Sequence, residues 1–197
     1  MSQIPSPFRH AVPDDVEALL PLAISTAPGF VETLWARLTA EGEAPEAFGR
    51  SVQIDFIDKK YTIVAESDKQ IAAMLISFPI EDKQKQFVED VDEMLAPVTK
   101  LYATAPGIWY IHMIATSPEF QGHGLSSKLM RLAEEQAIEA GYSEISLLVT
   151  DNNENAIQFY RKRGFAVIAQ EPLVRCGADT EATQWLLMLK SLSPGSR

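Results

Sequence analysis

The segment from Phe120 to Arg131, FQGHGLSSKLMR, contains the residues of this chain whose types and spacing most clearly indicate chemistry. Gly122 and Gly124 have no β-carbon, so a turn that contains them can point its backbone N–H groups at a ligand. Leucines at helical spacing follow, which predicts a helix directly after the turn. The N-terminal end of a helix presents unpaired N–H groups and the positive end of its dipole. The segment therefore predicts an anion site, most simply for phosphate.

Two cationic residues in the first turns of this helix support the same interpretation. Lys128 and Arg131 lie near the positive end of the dipole, and no acidic residue precedes Glu134. The positive end of the dipole repels these two cations, and a bound anion would offset that repulsion. Solvation of a surface helix explains the two side chains equally well, so the sequence leaves both interpretations open.

The glycine turn also invites comparison with nucleotide-binding motifs. Gly122, Gly124 and Ser127 approximate a dinucleotide fingerprint, and Asp151 ends the next predicted strand as a ribose-binding acid would. Residues Ser117 to Phe120 intervene between the preceding strand and the turn, however, and the third glycine is missing. These departures make nucleotide-dependent oxidoreduction a third-ranked hypothesis. A P-loop is excluded because the turn has no Gly-Lys-Ser/Thr.

A second segment, NENAIQFYRKRGF, has the pattern of a short capped helix. Asn153 is a preferred N-cap residue, and Gly164 is a common residue just after a helix end. Apolar residues between them fall on one face, and the last turn is basic, as the helix dipole favours.

Together, SPEFQGHGLSS and NENAIQFYRKRGF resemble the GNAT superfamily of acyl-CoA-dependent N-acyltransferases. The first matches the family's Gln/Arg-x-x-Gly-x-Gly/Ala pyrophosphate loop, and the second its Asn-x-x-Ala and Tyr-x-x-x-Gly-Phe. The matching residues are Gln121, Gly122 and Gly124, then Asn153, Ala156, Tyr160, Gly164 and Phe165. The resemblance is strongest over residues 108–170 and weaker over FRHAVPDDVEAL. Ser126 departs from it at the last Gly/Ala position, where its side chain either crowds the loop or hydrogen-bonds a phosphate.

The resemblance implies an acetyl-CoA site between the fourth and fifth strands of the sheet. Backbone N–H groups of the loop would hold the pyrophosphate, and main-chain groups of the preceding strand would pair with the pantetheine arm. Asn153 would hold the cofactor or the open strand edge, or serve as a plain helix cap. The expected cofactor-binding residues are Ile114, Thr116, Gln121, Gly122, His123, Gly124, Leu125, Ser126, Ser127 and Asn153. No metal is expected.

Two residues are candidate catalytic groups under this resemblance. Tyr160 is the candidate general acid, because the departing CoA thiolate needs a proton and a phenol can supply one. The attacking amine must also lose a proton, and His112 is a candidate base or water relay on the strand before the loop. Strand alternation places His112 on one face with Tyr110 and Ile114. The structural alternatives are a core tyrosine and a packed strand histidine.

The elements around these motifs alternate between strands and helices, which indicates an α/β fold. In the family it resembles, this is a mixed, mainly antiparallel sheet of six to seven strands, splayed between the fourth and fifth and flanked by helices. Strands are predicted over residues 8–12, 61–66, 71–78, 108–116, 144–150, 165–170 and 183–189. Helices are predicted from Pro13 to the break at Pro28-Gly29, over 30–38, near 46–57, after Gly124 and over 153–163.

We predict one domain over residues 1–197, with an insertion at about 81–106 and a flexible tail at about 192–197. The insertion is polar and acidic, and a helix is predicted to end before Pro97. The length and the 46% hydrophobic content suit a single core.

The net charge and the composition indicate which classes of binding partner this chain favours. The formal net charge is −10, which disfavours nucleic acid and anionic membranes and suits cationic ligands. No signal or membrane-spanning segment is evident, so a cytoplasmic location is expected, and Cys176 is the only cysteine. The leading hypothesis is an acetyl-CoA-dependent N-acetyltransferase acting on a small-molecule or peptide amine, as a monomer or homodimer. The alternative is a CoA-binding regulatory or interaction module with reduced catalysis.

Overall fold

The computed structural model describes residues 4–80, 91–105 and 107–192, and these form a mixed α/β fold. The strands are β1 (Phe8–His10), β2 (Thr62–Ser67), β3 (Gln70–Pro79), β4 (Trp109–Thr116), β5 (Glu144–Thr150), β6 (Ala166–Pro172) and β7 (Gln184–Ser191). The helices are α1 (Val16–Ile24), α2 (Phe30–Leu38), α3 (Glu46–Asp58), α4 (Ala96–Ala103), α5 (Leu125–Glu139) and α6 (Glu154–Arg161). Single 3₁₀ turns occupy Pro13–Asp15 and Pro118–Phe120.

The described strands form one sheet in the order β1-β2-β3-β4-β5-β7-β6. β4 and β5 are parallel, and the other neighbours are antiparallel. This confirms the predicted mixed, mainly antiparallel sheet. The register of β4 and β5 joins Trp109–Ile111 to Ile145–Leu147. The expected splay between these two strands stays a prediction.

The hairpin of β2 and β3 shows how local sequence sets the register. Ser67 pairs with Gln70, so Asp68 and Lys69 form a two-residue turn. Both have positive φ, 51° and 64°, which is the type I′ geometry that matches the twist of paired strands. The turn brings the buried run Ala72–Ser77 of β3 against β2.

The chain divides into two compact units, of which the first combines Met1–Ser77 with His112–Ala133. In this unit α1 and α2 both pack on α3. A β-carbon at Gly49 of α3 would lie 2.6 Å from the ring of Trp35, which shows how closely α2 approaches α3. Arg9 donates to both carboxylate oxygens of Asp15 at 2.7 and 2.9 Å and fixes the start of α1 against β1.

The second unit combines Phe78–Ile111 with Glu134–Arg197. β5, β7 and β6 pair side by side in it, and α4 packs on β6. Among its described residues, Lys100 pairs with Glu171 at 2.9 Å, and Lys190 pairs with Glu134 at 2.6 Å. The second pair is the better shielded of the two, because both of its side chains are at most 22% exposed.

The predicted helix end just before Pro97 is not found in the described residues, where a helix begins instead. Residues 81–90 and 106 of the expected insertion lie outside the described residues, and within the rest a helix begins at Ala96. Pro97 stands in its first turn, where proline's fixed φ suits a helix and its missing N–H removes no hydrogen bond. The proline therefore marks a start and not an end.

The predicted tail falls mostly on residues that are not described. Residues 193–197 lie outside the described ranges, whereas Leu192 is buried and its N–H donates to the Ser143 carbonyl at 2.7 Å. The prediction of a single domain stays a prediction. Within the described ranges, none of the helices is both long and apolar enough to cross a bilayer.

Candidate active site

The end of β4 and the turn after it are held in place within the first unit. The Ser117 N–H donates to the Ala72 carbonyl of β3 at 2.9 Å, which anchors the point where the chain leaves the sheet. The N–H of Phe120 then closes a 3₁₀ turn on the Ser117 carbonyl at 2.9 Å. These two hydrogen bonds position the chain just before the glycines.

Gly122 and Gly124 both adopt backbone conformations that other residues rarely take. Their φ angles are 80° and 76°, and a β-carbon at either would meet no described atom within 4 Å. α5 begins at Leu125, and its Lys128 N–H donates to the Gly124 carbonyl at 3.1 Å. The N–H groups of Leu125 and Ser126 precede that first helical bond, as they do at any helix start. The turn thus has the open, N–H-rich form that an anion requires.

The Ser126 side chain contacts the end of β4, and its expected effect on a bound phosphate stays a prediction. Its hydroxyl shares a hydrogen bond of 2.8 Å with the Thr116 hydroxyl, so it ties the first turn of α5 to the end of β4. Gln121 Nε2 donates to the Thr116 carbonyl at 3.4 Å, and His123 Nδ1 lies 3.2 Å from the Phe120 carbonyl oxygen. The side chains of the loop therefore brace its backbone.

The remaining predicted cofactor residues of this unit lie on β4 and in the first turn of α5. Ile114, Leu125 and Ser127 are half-buried, while the two cations of α5, Lys128 and Arg131, are exposed. The first turn of α5 contains no acidic residue. Because both cations are exposed, the structure is compatible with either role for them, binding of an anion or solvation of the helix surface.

His112 lies on β4 and packs against α3. Its ring centroid is 5.0 Å from that of Phe56, with the ring planes at 51°. Burial lowers the pKa of His112 from 6.5 to about 4, because the charged imidazolium loses hydration there. The imidazole is therefore neutral at physiological pH, and it is a weak proton acceptor.

The lowered pKa of His112 predicts a loss of stability in mild acid. Between pH 6.5 and 4 the unfolded chain binds a proton at this residue that the native chain does not, so the free energy of unfolding falls as the pH falls. We expect His112 to contribute up to about 3 kcal/mol of this loss, and the effect to be absent above pH 6.5. Urea unfolding at pH 7.5 and pH 4.5 measures it. The variant His112→Leu should lose less stability between the two pH values than the wild type; equal losses would contradict the assignment.

The second unit holds Asn153 and the helix it caps. The Ala156 N–H donates to Asn153 Oδ1 at 3.2 Å, so Asn153 is the N-cap of α6. Gly164, at φ 89°, follows the end of the helix and turns the chain towards Phe165 and β6. The cap is thereby established, and a contact from Asn153 to a cofactor stays a prediction.

Tyr160 lies on the buried face of α6. It is 7% exposed, and its ring centroid is 5.9 Å from that of Phe165. Burial raises the pKa of Tyr160 well above 10, and the nearby positive charge of Arg163 partly opposes this shift. The Arg163 guanidinium lies 3.4 Å above the centre of the Phe159 ring and donates to the Phe159 carbonyl at 2.8 Å. The Tyr160 hydroxyl therefore keeps its proton under all physiological conditions.

The second unit contains a pair of hydrogen-bonded tyrosines that the sequence did not indicate. The Tyr102 hydroxyl donates to the Tyr110 hydroxyl at 2.9 Å, and the two rings meet edge to face at 4.9 Å. Burial raises the pKa of Tyr102 to about 12, and that of Tyr110 well above its usual value. Strand alternation on β4 predicted the face on which Tyr110 lies. Its partner Tyr102 could not be predicted, because the sequence did not indicate that a helix, α4, begins at Ala96.

The predicted site residues thus fall in both units. His112, Ile114, Thr116 and the loop from Gln121 to Ser127 belong to the first, and Asn153 and Tyr160 to the second. Within the described ranges, no group of three or more His, Cys, Asp or Glu side chains is placed to hold a metal. The expected absence of a metal stays a prediction.

Comparison with known proteins decides the family. A model of the acetyltransferase (GNAT) family matches residues 29–165, which include the glycine loop and the segment that follows it. The chain belongs to this family. The match extends from the start of α2 to Phe165, so it covers both of the segments named above and the strands between them.

Named relatives of this GNAT chain are acetyltransferases of amines. It is 34% identical over 55 residues to a thialysine N-epsilon-acetyltransferase of Bos taurus, covering 28% of this chain and 32% of the relative. It is 31% identical over 93 residues to the spermidine N(1)-acetyltransferase of Escherichia coli, covering 44% and 48%. The matched regions therefore span about a third to a half of these curated relatives.

Solved structures share the fold at low identity. The mosquito arylalkylamine N-acetyltransferase like 5b superposes with a TM-score of 0.71 at 16% identity, covering 94% of this chain and 99% of the mosquito chain. At that identity the likeness supports the GNAT fold alone.

Proposed function

We propose that this chain transfers an acetyl group from acetyl-CoA to a primary amine by direct attack in a ternary complex. The observation that carries the proposal is the open turn at Gly122 and Gly124, where two residues with positive φ lead directly into the N-terminus of α5. In a GNAT protein this is where a CoA pyrophosphate is expected. The residues present fit a phosphate group at the turn, since no described atom lies within 4 Å of a β-carbon placed at either glycine.

The loop and the strand before it supply the contacts to acetyl-CoA in this proposal. Backbone N–H groups from Gln121 to Ser127 hold the pyrophosphate, and main-chain groups of Ile114 and Thr116 pair with the pantetheine arm. The Thr116 carbonyl accepts from Gln121 at the long distance of 3.4 Å, which leaves it a second lone pair for the arm. Asn153 is a further candidate contact.

Tyr160 donates a proton or a hydrogen bond to the departing thiolate. Burial raises the pKa of the phenol, so the hydroxyl is fully protonated when the thiolate forms. A phenol with such a raised pKa transfers its proton less readily than a free one, and the positive charge of Arg163 offsets part of that penalty. Tyr160 thus acts as the acid, with Arg163 favouring its ionised form.

The amine is proposed to enter as the neutral base. An imidazole with a pKa of about 4 is a poor acceptor for a proton from an ammonium of pKa near 10, so His112 serves here as a water-relay contact or a packing residue. The one buried carboxylate in the described residues, Asp15, is bound to Arg9, which lowers the pKa of Asp15. Both observations favour deprotonation of the amine by solvent before it binds.

A small cationic amine is the proposed acceptor class. Spermidine and thialysine are the substrates in the names of the curated relatives. The net charge of −10 creates a field that attracts such cations to the protein surface. We also propose that the protein is cytoplasmic and acts as a monomer or homodimer.

Two measurements test the proposed function. Acetyl-CoA and CoA should raise the melting temperature, because a ligand that binds only the native state stabilises it, while NAD should not. Release of free CoA thiol should then depend on spermidine or thialysine, with kcat/KM increasing with pH towards the pKa of the amine. Stabilisation by CoA without thiol release from any primary amine would favour the CoA-binding module instead. Stabilisation by NAD alone would overturn both.

A further inference from the structure

An ion pair that the proposed function does not use lies beside the helix that carries Tyr160. Lys190 of β7 donates through Nζ to Oε1 of Glu134 on α5 at 2.6 Å. Their side chains are 22% and 20% exposed. Solvent and salt screen such a pair less than an exposed one, so each of its charges acts more strongly on neighbouring groups.

Lys190 contacts the end of α6 as well as Glu134. A β-carbon at Gly164 would lie 4.0 Å from Lys190 Cε, and Lys190 Nζ lies 5.9 Å from the centre of the Phe165 ring. The Tyr160 ring lies 5.9 Å from the same Phe165 ring, between centroids. Phe165 therefore packs between the ion pair and the candidate acid.

Arg163 holds a further positive charge close to Tyr160. Its guanidinium lies 3.4 Å above the centre of the Phe159 ring, and Nη1 donates to the Phe159 carbonyl at 2.8 Å. The main-chain N–H of Arg163 donates to the Tyr160 carbonyl at 2.9 Å, and the rings of Phe159 and Tyr160 lie 5.5 Å apart. Phe159 thus fixes the guanidinium within one turn of Tyr160.

The charges of Glu134, Arg163 and Tyr160 influence one another. Burial lowers the pKa of Arg163, and the negative charges of Glu134 and of ionised Tyr160 oppose this shift. Burial raises the pKa of Tyr160, and the positive charge of Arg163 opposes that shift. A negative charge at Glu134 acts against Arg163, because it disfavours a second negative charge nearby. Lys190 is the cation that offsets the Glu134 charge, at 2.6 Å.

We propose that Lys190 is a positioning residue for the acid step: by pairing with Glu134, it leaves the charge of Arg163 to stabilise Tyr160 as the phenol loses its proton. In that step the Tyr160 O–H bond breaks, the oxygen keeps the electron pair, and the proton forms an S–H bond with the departing CoA thiolate. Lys190 touches neither substrate. The proposal rests on the proposed function and adds to it the residues that control the acid.

The variants Lys190→Met and Glu134→Gln test the proposal, because they break the same ion pair and change the local charge in opposite directions. We expect Lys190→Met to lower the single-turnover rate of acetyl transfer to saturating spermidine by about three- to tenfold. Glu134→Gln should keep or raise that rate. A merely structural ion pair predicts equal losses of stability and no difference in rate. An unchanged rate in Lys190→Met, or an equal fall in both variants, would overturn the proposal.

The double variant Lys190→Met/Glu134→Gln removes both charges and leaves neither uncompensated. Its rate should return to within about twofold of the wild type, whereas a structural role predicts a rate no better than that of Lys190→Met. The double variant also covers the case in which Lys190→Met does not fold. In a Tyr160→Phe background, Lys190→Met should have no further effect on the rate.

Arg161→Met is the matched control for the loss of a positive charge. Arg161 lies in the last turn of the same helix, and its side chain is exposed to solvent, which screens its charge. The single-turnover rate of this variant should equal that of the wild type. A fall as large as that in Lys190→Met would show that the rate follows net charge alone, which would overturn the proposal.

The proposed function can fail separately. Replacing Tyr160 with 3,5-difluorotyrosine, whose phenol is more acidic, allows fluorine NMR to measure the pKa of this phenol without any transfer of acetyl groups. Lys190→Met should raise that pKa and Glu134→Gln should lower it, each by about 0.5 or more. These opposite shifts would support the role of Lys190 even if no amine were acetylated. The same pKa in all three proteins would overturn it.

Discussion

Replacing Tyr160 with phenylalanine is expected to lower kcat for acetyl transfer by about 100-fold, the smaller end of the range for a positioned general acid. The variant removes one oxygen and keeps the ring that packs on Phe159 and Phe165 at 5.5 and 5.9 Å. Acetyl-CoA affinity and the melting temperature should therefore change little. Steady-state kinetics with spermidine, together with thermal shift by acetyl-CoA, separates these effects.

The pH dependence of the wild type gives a second readout for Tyr160. Because burial raises the pKa of the phenol, its hydroxyl stays protonated, and kcat should not fall through ionisation of Tyr160 up to about pH 10. Tyr142→Phe is the matched control: this half-buried tyrosine packs on Trp109 at 5.7 Å between centroids. Its loss should leave kcat unchanged. Wild-type kcat in Tyr160→Phe would show that the thiolate takes its proton from another source.

Replacing Gly124 with alanine is expected to weaken acetyl-CoA binding at least about tenfold. The φ of 76° strains any residue with a β-carbon by about 1–2 kcal/mol, and the new methyl group projects into the space where the phosphates are expected. A shift of the loop away from that strain would also displace N–H groups from the pyrophosphate. Calorimetric titration with acetyl-CoA measures the loss directly.

Gly177 provides a matched control for the backbone strain. Its φ is 89°, and a β-carbon there would also meet no described atom within 4 Å. Gly177→Ala should therefore lose a similar amount of stability in urea unfolding while binding acetyl-CoA as tightly as the wild type. If the two alanine variants bound acetyl-CoA equally well, the turn at Gly124 would not be the pyrophosphate site.

Features that depend on neighbouring residues could be predicted from the sequence. The turn at Asp68-Lys69 needed only a short polar stretch between two apolar runs, and the cap at Asn153 only an amide three residues before Ala156. The turn and the cap each form between residues only a few positions apart, so the conformational preferences of those residues determine them. Pro97 shows the limit, because a proline is compatible with the start of one helix as well as the end of another.

The sequence by itself determined the order of strands and helices, the glycine turn and the family it indicates, because these depend on spacing along the chain. The tertiary structure alone decided which polar groups lose water. Burial lowers the pKa of His112, whose ring packs against Phe56 of α3, and Gln53 is fully buried on the same helix. Such burial comes from residues far apart in sequence, and no local pattern encodes the desolvation that follows.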